Sequence, residues 1–483
     1  MRPRSLTTVV RCATVAALVT TPALLAVPSA GAVGARPAAA AAPKVDFNKD
    51  GRADLAVSAP AGTVGGKAKA GYVAVVYGSA SGADTAHRQV VSQATEGVPG
   101  DPAASAFFGA HTVARDLDGD GYTDLAIQTG KSPALTVLWG SPNGLTGGTQ
   151  LTGGNGDHWG DSVIAGGDFN GDGHADLVDV VTTGEGPDDE KTGVRVRLGP
   201  FTRDGKDAGG SFSDTGRFDA PTSLTAGDIT GDGKDDLVST HAFEEMSQSS
   251  LFFKGDDKGL SQKAADLTDA ASATIGDVDK DGHGDLVLRT VPGDVVENLP
   301  YDHGTLKVLY GTASGPSTTR TTTIDQNTAG VPGVNEDGDQ FGYSLSSGDV
   351  NGDGYADIAV GIPYEGLDSV KEAGGVVQLY GGRGGLSGTG AQAFTQDTAG
   401  VPGVAEAGDH FAMATGLADT DGDGKDDLAV GAPDEDGAQS TSGAAWVLRG
   451  QAGGLTTDGV VSFGPDSLGA PEAGAALGRG FQR

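Results

Sequence analysis

The sequence has few of the residues that hold disulfide-rich or membrane proteins together. Its 483 residues include one cysteine, Cys12, so no intramolecular disulfide can form. No stretch beyond the first thirty or so residues is long and apolar enough to cross a bilayer. The same part of the chain shows no sustained helical periodicity, and its many glycines disfavour long helices. These absences exclude a disulfide scaffold, a helical membrane protein and a helical bundle.

Basic residues are also scarce. The chain has 32 Lys and Arg against 65 Asp and Glu, which gives a formal net charge of −33. Nucleic acids and anionic membranes both select for basic patches. We therefore expect no nucleic-acid partner and no membrane insertion.

Recognisable catalytic motifs are missing as well. The sequence contains no G-x-S-x-G, H-E-x-x-H or G-x-x-x-x-G-K-[ST] segment. The histidines at positions 158, 174, 241, 283, 303 and 410 are scattered along the chain. We expect the protein not to be an enzyme, with a hydrolase as the alternative because a scaffold alone cannot exclude one.

The N-terminal segment has the parts of a secretory signal. Positive charge at the start is followed by the apolar residues 13–27, which are too short to span a bilayer, and by the small residues Ala30-Gly31-Ala32. We expect residues 1–32 to be a signal peptide and residues 33–43 a linker. The protein is then expected to be secreted and extracellular.

One nine-residue segment occurs seven times after this point. Side-chain oxygens occupy positions 1, 3, 5 and 9, and glycine always occupies position 6. In such a loop alternate side chains converge on one centre, position 7 adds its carbonyl oxygen, and the glycine permits a sharp turn. This arrangement indicates a loop that wraps a hard cation. The copies, named loops 1 to 7, begin at Asp46, Asp116, Asp168, Asp228, Asp277, Asp349 and Asp419.

The loops offer only oxygen ligands, which favours calcium over zinc or copper. We expect up to seven calcium ions, with loop 4 as the weakest site because Thr230 offers a neutral hydroxyl at position 3. Residues at position 7, including His174 and His283, are expected to contribute only their carbonyl oxygens. The expected ligand positions are Asp46, Asn48, Asp50, Arg52 and Asp54; Asp116, Asp118, Asp120, Tyr122 and Asp124; Asp168, Asn170, Asp172, His174 and Asp176; Asp228, Thr230, Asp232, Lys234 and Asp236; Asp277, Asp279, Asp281, His283 and Asp285; Asp349, Asn351, Asp353, Tyr355 and Asp357; and Asp419, Asp421, Asp423, Lys425 and Asp427.

An EF-hand is the alternative interpretation of these loops, and the sequence excludes it. An EF-hand requires flanking helices and a bidentate glutamate at position 12. Loops 1, 2 and 6 have Val57, Ile127 and Val360 at that position.

Short strand-like runs surround each loop. Leu or Ile follows position 9 and opens an apolar run such as IAVGIP (358–363), and a further run such as GGVVQLYG (374–381) ends at a glycine. Several loops are also preceded by a run such as FGYSLSSG (341–348). Four strands in about 60 residues make one propeller blade. The pattern predicts an all-β fold over residues 44–483, a seven-bladed β-propeller of four-stranded antiparallel blades.

Two recurring motifs resemble a known family. Phe108-Gly109 and Phe341-Gly342, together with Gly431-Ala432-Pro433, resemble the FG-GAP repeat of integrin α-subunit propellers. The resemblance extends over nearly all of residues 44–483 and implies a seven-bladed propeller with calcium between the first two strands of certain blades. Blades 3 to 5 lack the proline motif and have a weak or absent Phe-Gly, so we expect them to be shorter and less regular.

The last residues are expected to close the ring. Ala475–Phe481 (AALGRGF) follows blade 7 and looks like a degraded opening strand, whereas blade 1 begins at loop 1 without one. We expect this C-terminal strand to complete blade 1; the alternative is a disordered tail.

The integrin likeness implies an extracellular adhesion or ligand-binding module whose blades are stabilised by calcium. We expect a monomer whose partner, an extracellular protein or glycan, binds the face opposite the calcium loops. A calcium-dependent extracellular hydrolase and a propeller lectin are the alternatives, the lectin being disfavoured by the small number of tryptophans and tyrosines. Segments able to build the binding face are residues 97–100, 330–333, 364–372, 400–403 and 434–442.

Overall fold

The computed structural model describes residues 44–130, 135–151, 163–183, 191–217 and 220–483. The expected signal peptide (1–32) and linker (33–43) lie outside these residues. Nearly all regular structure in the described part is β, and its seven blade sheets confirm the expected seven-bladed propeller of antiparallel four-stranded blades. Its helices are one short α-helix, α1 (Pro465–Leu468), and the 3₁₀ segments Pro292–Asp294 and Val296–Tyr301, none of which could cross a membrane.

The strands follow one another in chain order within each blade. Blade 1 contains β1 (Leu55–Ala59), β2 (Tyr72–Ser79) and β3 (Gly82–Val91). Blade 2 contains β4 (Phe108–Arg115), β5 (Asp124–Thr129), β6 (Leu135–Trp139) and β7 (Thr146–Leu151). Blade 3 contains β8 (Ile164–Gly167), β9 (Asp176–Thr183), β10 (Lys191–Arg197) and β11 (Gly210–Arg217). Blade 4 contains β12 (Ser223–Gly227), β13 (Asp236–Phe243), β14 (Met246–Phe253) and β17 (Ala265–Asp266), with a side hairpin of β15 (Gly255–Asp256) and β16 (Gly259–Leu260). Blade 5 contains β18 (Ala270–Gly276), β19 (Asp285–Thr290), β20 (Leu306–Leu309) and β21 (Thr321–Ile324). Blades 6 and 7 contain β22 (Leu345–Gly348), β23 (Asp357–Ile362), β24 (Gly375–Tyr380) and β25 (Ser387–Phe394); and β26 (Ala414–Ala418), β27 (Asp427–Ala432), β28 (Ala444–Gln451) and β29 (Gly454–Phe463).

Burial explains the strand sequences. The second strand of a blade is covered on both faces, so that all six residues of β23 and of β27 are buried, and after the leading aspartate both are continuous small or apolar runs. The outermost strand β29 has exposed positions in its middle and is correspondingly more polar. Apolar side chains of consecutive blades pack together, as where Phe341 and Val360 of blade 6 join Val287 of blade 5 in one cluster. This packing between blades supplies the core that disulfides do not.

The Phe-Gly motif marks the entry to a blade. Phe108, Phe341 and Phe411 are fully buried, and the backbone N–H of each donates to a carbonyl of the preceding blade at 2.8–2.9 Å. A glycine of the preceding blade lies against each of these residues; a Cβ on Gly374, for example, would stand 2.3 Å from the Phe411 carbonyl oxygen. The motif therefore fixes how closely consecutive blades approach.

The C-terminal segment occupies the same kind of position. Leu477 is fully buried, and its N–H donates to the Ser442 carbonyl at 3.0 Å, as the motif phenylalanines do elsewhere. Beyond it, Phe481 forms an antiparallel bridge with Val57, and the Ser58 N–H donates to the Gly480 carbonyl at 2.9 Å. The segment thus supplies the inner edge of blade 1, as expected, although it forms a bridge rather than a full strand.

Blades 4 and 5 show the expected irregularity. The last strand of blade 4, β17, has only two residues, and the side hairpin β15–β16 precedes it. Blade 5 contains both 3₁₀ segments between β19 and β20. Blade 3 has four strands, although the start of its expected opening run at His158 lies outside the described residues.

Because successive strands run antiparallel, connections alternate between the two ends of the ring. Loops 2 to 7 connect the first and second strands of their blades. Loop 1 precedes β1, which corresponds to a second strand because the C-terminal segment supplies the inner edge of blade 1. All seven loops lie at the end of the ring that also carries the turns after the third strands. The connections between second and third strands, and those between blades, lie at the opposite end.

Loss of the closing segment is expected to destabilise the whole ring. Deleting Gly474–Arg483 would leave the inner edge of β1 unpaired and expose the side chains that surround Phe481, and unpaired strand edges promote aggregation. Phe481→Ala alone should lower the free energy of unfolding by about 3–5 kcal/mol. Denaturant unfolding, with hydrogen exchange of the β1 amides, measures both effects. Phe481→Leu is the conservative control, and a deletion variant that unfolds like the full chain would contradict the closure.

Candidate metal centres

The seven Asp loops share one internal hydrogen-bond pattern. In each loop one oxygen of the position 1 aspartate accepts the N–H of the glycine at position 6, at 2.8–3.2 Å. One oxygen of the position 5 aspartate accepts the N–H of position 7, at 2.9–3.2 Å. The glycines at position 6 have φ between 82° and 90°, a left-handed conformation that favours glycine. The expected reason for the glycine is therefore confirmed.

Position 2 anchors each loop to the protein interior. Its side chain is fully buried in loops 1 to 6, where it is apolar, and Thr420 takes its place in loop 7. The apolar residue at position 2 was visible in the sequence but was not identified as part of the site.

The aspartate at position 9 is the most deeply buried carboxylate of each loop. All seven are at most 2% exposed. In loop 6, Asp357 accepts the Val350 N–H at 3.1 Å through one oxygen and the Gly381 N–H at 2.9 Å through the other. The other six position 9 aspartates bind the same two regions, the start of their own loop and the glycine after the third strand. This carboxylate therefore connects the loop to the third strand of its blade.

The glycine that donates this bond has no space for a side chain. A Cβ at this position would stand 2.3–2.5 Å from the carbonyl oxygen of position 8 in every blade. This explains why each third strand ends at a glycine; the seven are Gly78, Gly140, Gly199, Gly255, Gly311, Gly381 and Gly450.

Burial also changes the charge of the position 9 carboxylates. Loss of solvent raises the pKa of this carboxyl to about 7 in loops 1 to 6 and to about 6 in loop 7, against the two N–H donors that lower it. The nearby loop carboxylates raise the pKa further by repulsion. A cation among these groups would favour the ionised form, so its binding would release protons.

The residues present fit a hard divalent cation. In loops 2, 5 and 7 three carboxylate oxygens lie within 4.8 Å of one another; the groups are Asp116, Asp118 and Asp124; Asp277, Asp279 and Asp285; and Asp419, Asp421 and Asp423. In loop 5 the Oδ1 atom of Asp279 is buried and accepts no hydrogen bond, which leaves it available to a cation. Every side chain directed to these centres offers oxygen, the ligand that hard divalent cations prefer.

Loop 4 differs in the way its sequence suggested. Thr230 is 2% exposed, and its hydroxyl oxygen has no hydrogen-bond partner. Its N–H, rather than that of position 2, donates to the position 9 aspartate, Asp236, at 2.9 Å. Position 3 thus provides a buried neutral oxygen where loops 2, 5 and 7 have a carboxylate.

Hydrogen bonds connect the loops around the ring. In six of them the N–H of position 8 donates to the carbonyl oxygen of position 1 in the loop of the preceding blade, at 2.8–3.0 Å. The Ala53 N–H closes the series from blade 1 to Asp419 of blade 7. Between blades 2 and 3 the Phe201 N–H donates to the Leu117 carbonyl at 2.7 Å. Sequence reasoning missed this ring because backbone groups carry no sequence signal.

The opposite end of the ring has a different character. The exposed large hydrophobic side chains of the described residues all lie at this end, with Met246 at the start of β14 and Tyr301, Val334 and Val404 in connections; they are 47–77% exposed. A row of half-buried rings lies at the same end, with Tyr364 5.9 Å from Tyr343 and 4.9 Å from His410 between centroids. The expected segments 330–333, 364–372 and 400–403 border or contain these residues, but the exposed side chains themselves were not identified from the sequence.

Comparison with known proteins finds the same repeats. The FG-GAP repeat family matches residues 39–76, 341–380 and 411–448, and the FG-GAP-like repeat family matches residues 116–178. The chain is similar to integrin alpha pat-2 of Caenorhabditis briggsae, 32% identical over 228 residues that cover 43% of this chain and 17% of that protein. It is also similar to integrin alpha-PS2 of Drosophila melanogaster (34% over 173 residues, covering 34% and 11%) and to phosphatidylinositol-glycan-specific phospholipase D of Mus musculus (30% over 178 residues, covering 35% and 19%). The chain thus spans less than a fifth of the length of these relatives.

Two adjacent glycines test the connection made by position 9. A Cβ at Gly381 would meet the Ala356 carbonyl oxygen at 2.3 Å, whereas a Cβ at Gly382 would meet nothing within 4 Å. Gly381→Ala should lower the free energy of unfolding by about 1–3 kcal/mol, and Gly382→Ala should leave it nearly unchanged. Denaturant unfolding of both variants measures the difference. Equal stability of the two would show that Asp357 does not need the close approach of this turn.

Proposed function

Because this chain is an integrin-α-like FG-GAP repeat protein, we propose that it is a secreted, calcium-stabilised adhesion module. It binds an extracellular protein or glycan through the end of the ring opposite the Asp loops. It acts as a monomer and has no catalytic role. The exposed hydrophobic side chains gathered at that end are the observation that carries the proposal.

The calcium part rests on the chemistry of the loops. Each of the seven loops holds three or four aspartates at positions 1, 3, 5 and 9, whose mutual repulsion a divalent cation would relieve. All 35 expected ligand positions lie in the described residues, and they are proposed to bind up to seven ions, most weakly in loop 4. Extracellular modules commonly bind calcium with dissociation constants of about 10⁻⁴ to 10⁻³ M, which the secretory route would satisfy.

The binding part rests on the opposite end. Val334 and Val404 lie at matching places in the connections before blades 6 and 7 and are 59% and 67% exposed. The ring row formed by Tyr343, Tyr364 and His410 lies at the same two blades, and Asp434 is 2.8 Å from the His410 Nδ1 atom. Exposed apolar side chains with aromatic and polar neighbours are typical of a protein interaction surface. A glycan is the other occupant that such rings accommodate.

A calcium-dependent extracellular hydrolase is the second candidate. The similarity to a phospholipase D favours it, although the shared region covers 19% of that protein. The hydrolase proposal predicts turnover of an ester or phosphodiester substrate that is lost when a histidine outside the loops, such as His410, is replaced. A lectin would be recognised by glycan binding without turnover.

Calcium removal is expected to lower the thermal midpoint strongly. A ligand that binds only the folded state stabilises it by about 2.7 kcal/mol per site at a hundredfold excess over its dissociation constant. Thermal unfolding in millimolar calcium and in chelator measures the effect. The same midpoint in both would remove the metal interpretation.

Single substitutions should rank the loops. Asp353→Ala removes a charged ligand from loop 6, whereas Thr230→Ala removes a neutral hydroxyl from loop 4. We expect a larger loss of bound calcium for Asp353→Ala, measured by calcium content after dialysis. An equal loss in the two variants would contradict the ranking.

Ligand binding should depend on the apolar end. Purified protein in calcium is tested against arrays of extracellular proteins and of glycans, and the double variant Val334→Asp/Val404→Asp is expected to bind at least tenfold more weakly. Ser314→Asp, an exposed change at the end that carries the Asp loops, is the matched control. If Ser314→Asp weakened binding and the valine variant did not, the partner would bind the end that carries the Asp loops, which would contradict the proposal.

A further inference from the structure

Arginine side chains lie over some Asp loops and not over others. Arg203 pairs with two carboxylates of loop 2, with its Nε atom 2.9 Å from Asp118 and its Nη2 atom 3.0 Å from Asp120. Arg320 pairs in the same way with Asp279 and, at 3.7 Å, with Asp281 of loop 5. The third pair joins Arg449 to Asp421 of loop 7.

The residue at position 3 separates the two kinds of loop. The three loops with an arginine partner have aspartate at position 3, namely Asp118, Asp279 and Asp421. The loops with asparagine at this position, loops 1, 3 and 6, have no arginine reaching them from the third strand or its turn within the described part of the chain. Each arginine makes a contact with the position 3 carboxylate, whose side chain is only 2–12% exposed.

The arginines reach their loops from different elements: Arg449 lies in the third strand of blade 7, Arg320 in the turn after the third strand of blade 5, and Arg203 in the corresponding turn of blade 3, next to loop 2 of blade 2. The residue before the third-strand glycine is Arg449 itself in blade 7. In blades 2 and 5 it is an aromatic residue on which the arginine stacks, with Arg203 5.5 Å from the Trp139 ring and Arg320 3.9 Å from the Tyr310 ring. In blades 1 and 6 the residue is a tyrosine, and its hydroxyl is bonded to a glutamine.

The number of carboxylates in each loop gives the pairing a physical reason. A loop with aspartate at position 3 has four carboxylates at positions 1, 3, 5 and 9, and its arginine offsets one of them. A loop with asparagine has three carboxylates at these positions and lacks the fourth one. We propose that these arginines are built-in counter-ions: they offset the extra carboxylate of loops 2, 5 and 7 and hold these loops folded before calcium binds.

This assignment rests on the proposed calcium binding and deepens it. An arginine that lowers the negative charge of a loop stabilises the metal-free loop more than the calcium-loaded one. Thermodynamic linkage then requires that its removal destabilise the protein in chelator and at the same time raise the calcium affinity of that loop. An arginine that merely positioned the ligands for calcium would have the opposite effect on affinity.

Loop 4 follows the same logic with a different outcome. It has three carboxylates at positions 1, 3, 5 and 9, and Lys254, which occupies the residue before the third-strand glycine, lies 3.0 Å from Asp232. The lysine offsets one of these three carboxylates, whereas no ion pair offsets a carboxylate of loops 3 and 6 among the described residues. A weak calcium site in loop 4 then has an electrostatic cause besides the neutral hydroxyl of Thr230.

The test replaces the counter-ion and its partner. Arg203→Gln and Arg320→Gln are compared with Arg383→Gln, an exposed arginine in the corresponding turn of blade 6 whose loop has Asn351 at position 3. In chelator the first two variants should unfold at a lower temperature than the unmodified chain, and Arg383→Gln should not. Adding Asp118→Asn to Arg203→Gln should restore the midpoint, because loop 2 then has the charge of an asparagine loop. Unchanged midpoints for both Arg203→Gln and Arg320→Gln would overturn the proposal.

Affinity is measured with terbium, a calcium substitute whose emission a nearby tryptophan sensitises. Trp139 lies beneath Arg203, and the signal lost in Trp139→Phe identifies loop 2. Arg203→Gln should raise the affinity of loop 2 about two- to fivefold, the range expected for one partly exposed ion pair. A lowered affinity would show that the arginine positions ligands and would overturn the counter-ion role. If calcium has no effect on the unmodified chain, the calcium proposal fails, whereas the chelator midpoints still decide the counter-ion inference.

Discussion

The structure depends on a buried carboxylate that binds two backbone N–H groups. In each blade the position 9 aspartate fixes the start of its own loop and the glycine after the third strand. One side chain therefore determines both where the loop begins and how closely the third strand approaches it. Because this carboxylate is buried, its pKa is raised to about 7 in most blades. The aspartate that fixes the geometry of each blade is thus also one source of the negative charge in its loop.

The loops are not independent of one another. Backbone bonds from position 8 to position 1 pass from blade to blade, and the last of them joins Ala53 to Asp419. A cation that orders one loop would also order a hydrogen-bond acceptor of the next blade. The end of the ring that holds the acidic loops is therefore held together by these backbone bonds, whereas the exposed apolar side chains lie at the other end.

The sequence predicted the repeated parts and missed the contacts between them. The spacing of the Asp loops was enough to predict seven antiparallel blades, and Gly51 and its equivalents adopt the expected left-handed conformation. The closing role of residues near Phe481 was also predicted, from a faint likeness to the Phe-Gly motif. The pairing of Arg203 with Asp118 could not be, because the two residues lie 85 positions apart and only the packed blades bring them together. The exposed hydrophobic end was missed for a similar reason, since a valine in a loop has no periodicity to reveal its exposure.

The bridge between Val57 and Phe481 also has a consequence for the order of folding. Blades 2 to 7 are built from strands that are close neighbours in the sequence, so each can form early from local contacts. The contact that closes blade 1 spans more than four hundred residues, and long-range contacts form slowly because their loop-closure entropy must be overcome first. The first blade in the sequence is therefore the last to be completed. Until then the ring is open beside β1, and a chain emerging from synthesis would need this edge shielded from other copies.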